Sequence, residues 1–248
     1  MSLFLVAYFF RTDKLTDLVY GLTFVCMVLF GVKNANPRSW KKYVMACMVV
    51  LWACRLIGYL FIRVCLAGKD TRFDGIRESF LKFGGFWFLQ AVSVWVILLP
   101  TMLFLLKRTD KVGWGTYVGL GIFLLGFLIE TVADMQKWTF KQNPAFVGRW
   151  IETGLWRYSR HPNYFGEMLV WVGIWLYTLP VLRSSWVEVG IGMISPVYVT
   201  LLLVFLTGIP MLEASADKRW GGDKAYRAYK ARTSVCIPWF PKGEVEGS

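Results

Sequence analysis

Residues 113–141 read GWGTYVGLGIFLLGFLIETVADMQKWTFK, uncharged from Gly113 to Ile129 and then carrying Glu130, Asp134, Lys137 and Lys141. A helix needs about 20 mostly apolar residues to cross the roughly 30 Å hydrocarbon core of a bilayer. The uncharged part therefore predicts a transmembrane helix at 113–131. Similar runs lie at 17–33, 43–66, 84–106, 163–181 and 188–212, which makes six expected crossings and an all-α, polytopic transmembrane bundle. The opening 1–10 is apolar but too short to cross alone. No basic residue precedes it and Arg11 follows it, so it reads as a truncated or re-entrant seventh element rather than a signal peptide.

Composition points the same way. Of 248 residues, 56% are hydrophobic, 17% aromatic and only 18% charged, with a mean hydropathy of +0.47. Disorder, fibrous repeats and a soluble secreted domain are excluded. The formal net charge of +12 would suggest nucleic acid in a soluble protein. Here topology accounts for much of it, and no nucleic-acid partner is expected. With six crossings, the amino terminus and the loops at 67–83, 132–162 and 213–248 share one side. That side holds 18 Lys and Arg against 8 on the other, so it is expected to face the cytoplasm. The five cysteines form no Cys-x-x-Cys pair and read as packing residues, with no disulfide framework and no metal site expected.

Three polar groupings stand out on the expected cytoplasmic side. Glu130, Asp134, Lys137 and Lys141, spaced +4, +3 and +4, fall within one narrow helical stripe. Ionisable groups at membrane depth usually face a bundle interior or watery cavity, which makes the stripe a candidate wall of a site. Ion pairs along a helix already clear of the bilayer would show the same spacing. In the second grouping, residues 154–167 (GLWRYSRHPNYFGE), Ser159 can cap and Pro162 suits a first helical turn. Free backbone N–H groups there, with Arg157 and Arg160 beside them, would suit a phosphate. Lipid headgroups could also use those arginines, and His161, the only histidine, could be a structural cap. Asn163 and Glu167, one turn apart on a face entering the bilayer, are harder to explain without a ligand.

The third grouping is the tail, with Glu213, Asp217, Lys218, Arg219, Trp220, Tyr226 and Tyr229. It fits an amphipathic helix lying on the membrane, or aromatic faces stacked on a cofactor ring with bases nearby. Farther up the chain, Arg55 and Tyr59 sit one turn apart, giving a phenol that could meet a substrate carbonyl or a cation seeking a tertiary ion pair. Gln90 places one amide in a very apolar helix.

Taken together, 154–167, the preceding Glu130-x-x-x-Asp134-x-x-Lys137 and the later Tyr226-x-x-Tyr229 with Ile237-Pro238 resemble the carboxy-terminal domain of the steroid 5-alpha-reductase superfamily. In the wide sense this superfamily includes sterol reductases and isoprenylcysteine carboxyl methyltransferases. The likeness is to its poorly characterised bacterial and protist branch. It implies a single integral membrane domain, with 1–112 forming part of a substrate cavity and 113–248 a cofactor-binding half. For reductases it further implies NADPH held on the cytosolic side and hydride transfer to a carbon–carbon double bond of a buried lipid. By position, Asp134, Lys141, Arg157, Asn163, Tyr164, Glu167, Tyr226 and Tyr229 would line the cofactor site. The residue reading adds Glu130, Lys137, Arg160, His161 and Arg219, and puts Tyr59, Gln90 and Glu167 forward as catalytic groups.

The sequence departs from steroid reductases at Glu130, where Asn is usual, and at Ala91, which follows Gln90 where they carry Glu. The steroid itself is therefore left open among steroid-, sterol- and isoprenoid-like substrates. Two other functions compete with the reductase reading. One is an S-adenosylmethionine-dependent methyltransferase, whose branch shares the Arg-His-Pro-x-Tyr-x-Gly pattern; the abundance of bases favours a phosphate-bearing cofactor over it. The other is a non-catalytic lipid-binding protein, against which the concentration of Glu130, Asp134, Asn163 and Glu167 at membrane depth counts. No retention or lipidation motif is read in residues 243–248, so the bacterial inner membrane and the endoplasmic reticulum are both expected locations.

Overall fold

A computed structural model describes residues 2–10, 14–67, 76, 78–108 and 111–242. Among these the chain is helical, with an isolated bridge between Ser159 and Ser234 as the strand-like pairing. Ten α-helices follow in order: α1 (Ser2–Phe9), α2 (Lys14–Lys33), α3 (Trp40–Ala67), α4 (Phe80–Ile97), α5 (Leu99–Leu106), α6 (Trp114–Gln142), α7 (Pro162–Leu182), α8 (Trp186–Leu201), α9 (Ile209–Trp220) and α10 (Lys224–Arg232).

Among the described residues, five stretches are long and apolar enough to cross a membrane: Trp40–Tyr59, Phe80–Ile97, Trp114–Gln142, Pro162–Leu182 and Trp186–Trp220. The protein is thus a multi-pass, all-α membrane bundle. The expected sixth crossing, 17–33, is α2, whose apolar part Leu18–Lys33 falls short of the usual span. The run 84–106 is not one helix. Pro100 has no N–H to continue a helical ladder, and it sits in the first turn of a new helix after the break at Leu98. Another interruption comes after α8, where Leu202–Leu206 form a π-helical turn and Thr207 N donates to Leu202 O at 2.9 Å.

The chain divides into two compact units. Met1–Tyr117 and Ile174–Ser195 form the first; Val118–Gly173 and Pro196–Ser248 form the second. In the first, α1 has eight residues and a length of about 12 Å, well short of a crossing. It is held by Phe4 and Ala7, buried against Phe83 of α4, with the Phe4 ring 5.3 Å from Phe80 and 6.1 Å from Trp87. The α2–α3 pair is pinned where the Phe24 and Trp52 rings meet at 5.0 Å. A buried lysine, Lys42, donates from Nζ to Lys107 O at 2.6 Å, satisfying a carbonyl at the end of α5.

In the second unit α6 and α7 run antiparallel with their backbones in direct approach. A Cβ built on Gly166 would lie 2.6 Å from Glu130 N and 2.7 Å from Gly126 O, and one on Gly173 only 2.5 Å from Phe123 N. Within lipid, helices associate through packing and polar contacts rather than hydrophobic expulsion, so small residues at the seam decide how close they come. This seam sets Glu130 and Asp134 of α6 against the first turns of α7.

Candidate functional site

Glu130 and Asp134 are both buried, 3% and 7% exposed, at the charged end of the α6 stripe. Across the seam, Asn163 Nδ2 donates to Asp134 Oδ1 at 3.1 Å. The acids therefore stand beside the positive end of the α7 dipole, where negative charge is favoured. One turn farther along α6, Lys137 Nζ lies over the Trp156 ring, 4.7 Å from its centroid. Trp156 is a buried post. Its Nε1 donates to Ala133 O at 3.1 Å and its carbonyl accepts from Tyr229 Oη at 2.9 Å, joining the 3-10 turn Gly154–Arg157 to α6 and α10.

The approach to α7 is held by Ser159, whose hydroxyl accepts from His161 N at 3.1 Å and donates to Cys236 O at 2.6 Å. The next residue, Arg160, is fully engaged within the protein. Its guanidinium donates to Lys230 O and Thr233 O at the end of α10 and grips both oxygens of Glu213, each at 3.1 Å. Glu213 is the hub. It also meets His161 Nε2 at 2.9 Å and Lys230 Nζ at 3.1 Å, while Lys230 reaches Asp217 at 2.6 Å.

His161 is 5% exposed, and its ring stacks on Tyr164 at 5.7 Å with planes 10° apart. Burial pushes the imidazole below its ordinary value near 6.5 despite the hydrogen bond and charge of Glu213, which act the other way. The ring is therefore neutral at physiological pH. Because the Glu213 carboxylate can only accept, Nε2 carries the proton and Nδ1 is a bare acceptor, buried and with no hydrogen-bond partner.

Burial likewise raises the phenols of Tyr226 and Tyr229, which stay protonated donors. Tyr226 Oη reaches Asp217 at 3.5 Å, and its ring packs between Trp150 and Trp220. Desolvation opposes the charge on Lys230, but its bonds to Asp217 and Glu213 outweigh it and hold the ammonium above its usual range. Burial pushes the Cys236 thiol up to about 11, leaving it unreactive.

One cluster thus brings together Glu130, Asp134, Lys137 and Asn163 around the seam, and a second joins Arg160, His161, Tyr164, Tyr226 and Tyr229 through Glu213. Glu167 is half-buried on α7. Lys141, Arg157 and Arg219 are exposed, with Arg219 lying 5.4 Å above the Trp220 ring. Tyr59 and Gln90 belong to the other unit, half-buried on α3 and α4. A groove of about 490 Å³ runs along a different face of α6, lined by Gln136, Thr139, Phe140 and Phe146 among others, and none of the candidate residues lines it. The tail grouping contains Glu213 and Asp217, but the sequence assigns neither them nor Lys230 a place among the site residues. The i,i+4 spacing of Glu213 and Asp217 was the available signal for two of them. Among the described residues, no group of His, Cys, Asp and Glu could hold a metal ion.

Residues 3–233 match the family model described as "Protein of unknown function (DUF1295)". An uncharacterised protein of Schizosaccharomyces pombe is 27% identical over 196 residues, which cover 67% of this chain and 56% of that protein. The Delta(14)-sterol reductase of Arabidopsis thaliana is 22% identical over 191 residues, 60% of this chain and 50% of the reductase. The chain thus spans about half the length of these curated relatives. No solved structure matches it.

Proposed function

From the premise that this chain belongs to the DUF1295 family of the steroid 5-alpha-reductase superfamily, we propose that it is a membrane reductase using NADPH on a carbon–carbon double bond of a hydrophobic lipid. The similarity to a sterol reductase supports the reaction class. The observation that carries the reading is the set of buried Glu130 and Asp134 with half-buried Asn163 where α6 meets α7, and buried His161 just before α7. Such groups are costly at membrane depth, and His161 presents a buried acceptor, Nδ1, with no partner of its own.

The residues present fit a dinucleotide. Nδ1 can accept from a ribose hydroxyl or an amide N–H, the Tyr164 face can meet a ring, and Arg157, Lys141 and Arg219 are exposed cations of the kind phosphates pair with. NADPH, when bound, supplies a hydride. The protein's part is to bind, orient and exclude water, and Tyr59, Gln90 and Glu167 are the groups proposed to hold or pass the proton. The excess of Lys and Arg in the loops on one side supports a site facing the cytoplasm, of a bacterial inner membrane or of the endoplasmic reticulum.

One observation favours a second reading. Arg160 and Lys230 are neutralised by Glu213 and Asp217, which leaves fewer cations for phosphates and suits S-adenosylmethionine and methyl transfer better. Thermal unfolding of detergent-purified protein with NADPH, NADH and S-adenosylmethionine separates the two, because a ligand bound only by the native state raises its apparent stability. Stabilisation by NADPH is expected. Stabilisation by S-adenosylmethionine alone would replace reduction with methyl transfer, and a response to none of the three would leave a lipid-binding role.

A further inference from the structure

Residues 233–242 form a strap that follows α10 and is tied to the segment leading into α7. Arg160 N donates to Ser234 O at 2.8 Å, Ser159 Oγ to Cys236 O at 2.6 Å and Trp239 N to Tyr158 O at 3.0 Å. The backbone is thus held at three successive points. Its apolar side chains are nevertheless largely exposed: Ile237, Trp239 and Phe240 are 66%, 70% and 76% exposed, with the Phe240 ring meeting Tyr158 only edge-on at 6.1 Å. A row of large apolar groups on a pinned backbone is costly in water and marks a surface that something covers.

Its position says what covers it. Helix α7 has 21 residues, about 31 Å at 1.5 Å per residue, which matches the roughly 30 Å hydrocarbon core. Pro162, its first residue, therefore stands at one boundary of that core. Ser159, three positions earlier, is bonded to Cys236, so the strap is tied at this level. Consecutive Cα atoms are about 3.8 Å apart, which keeps Trp239 within about 11 Å of Cys236. The headgroup zone is about 5–8 Å deep on each side. Trp is enriched at this level because its ring is apolar while its N–H stays wet, and exposed Lys242 and Arg157 beside the strap suit anionic headgroups.

We infer that Ile237, Trp239 and Phe240 insert into the interface of the same bilayer that α7 spans, so that the strap anchors the start of α7 and the Arg160–Glu213 cluster to the lipid surface.

The test uses the full chain, labelled with 5-fluorotryptophan, in nanodiscs of phosphatidylcholine and phosphatidylglycerol. The fluorine resonance missing from the conservative variant Trp239→Phe identifies Trp239 among the 13 tryptophans. Trp95, exposed within the α4 span and assigned through Trp95→Phe, is the lipid-facing reference. A nitroxide carried on the lipid is expected to broaden the Trp239 resonance, as it does that of Trp95, while a water-soluble gadolinium chelate broadens it less than a solvent-exposed tryptophan. Broadening by the chelate alone would place Trp239 in water, and broadening by neither would place it against protein. Either result overturns the inference.

Discussion

His161 Nε2 and Glu213 Oε1 stand 2.9 Å apart, and that contact fixes the chemistry of the other imidazole nitrogen. Glu213 is gripped by Arg160 and Lys230 and can only accept from the neutral ring, so the lone pair of His161 is left at Nδ1. Removing the carboxylate charge with Glu213→Gln should release both this tautomer and two ion pairs. Breaking a half-buried pair costs about 2–3 kcal/mol, or several degrees of Tm for a chain of this size. Thermal unfolding of the detergent-solubilised variant measures it, and an unchanged Tm would mean the cluster contributes no stability.

Acid should weaken the fold through the same ring. Since the folded-state value of His161 is depressed below the ordinary 6.5, the unfolded chain binds its proton more readily. Stability from this group is present above about pH 6.5 and is lost as pH falls through the folded value, by at most about 1.4 kcal/mol per pH unit. As this is the only histidine, the difference in Tm between the wild type and His161→Gln across pH 5–7.5 isolates it. Parallel curves would contradict the assignment.

The glycine seam makes a paired prediction on one helix. Gly126→Ala drives a Cβ to 2.6 Å from Gly166 O and should destabilise by about 2–3 kcal/mol, because backbone cannot yield as a side chain does. Gly121→Ala, also on α6, meets nothing within 4 Å and should be neutral or slightly stabilising. Equal effects of the two substitutions would show that the seam is not tight.

Under the proposed function, Asn163→Ala should raise the Kd for NADPH about tenfold, a loss of about 1.4 kcal/mol. Tyr164→Phe should weaken it too. Both variants should stay cooperatively folded, Asn163→Ala at a lower Tm because it takes a hydrogen bond from buried Asp134, and the ligand-induced rise in Tm gives the Kd. Unchanged affinity in both would remove α7 from the site.

Much of this was legible in the sequence because the bilayer imposes a length on its helices: residues 43–66, 113–131 and 163–181 announce themselves by apolar run alone. The break at Leu98 did not, since hydropathy is blind to where Pro100 withdraws its N–H. The stripe of Glu130 and Asp134 showed in its spacing. The fate of Arg160 could not, because Lys230 O and Thr233 O, the carbonyls that use up its donors, lie 70 and 73 residues away. Glycines at 119, 126, 166 and 173 carried a seven-residue rhythm from which the close approach of α6 and α7 was readable in principle.

Main chain lying on main chain at Gly126 and Gly166 also bears on how such a protein can diversify. Side chains at a helix seam can be exchanged for larger or smaller ones and the helices re-spaced; a seam built from backbone has nothing to exchange. The acids of α6 and the first turn of α7 are consequently held at a spacing that an exchange of side chains at the seam cannot adjust.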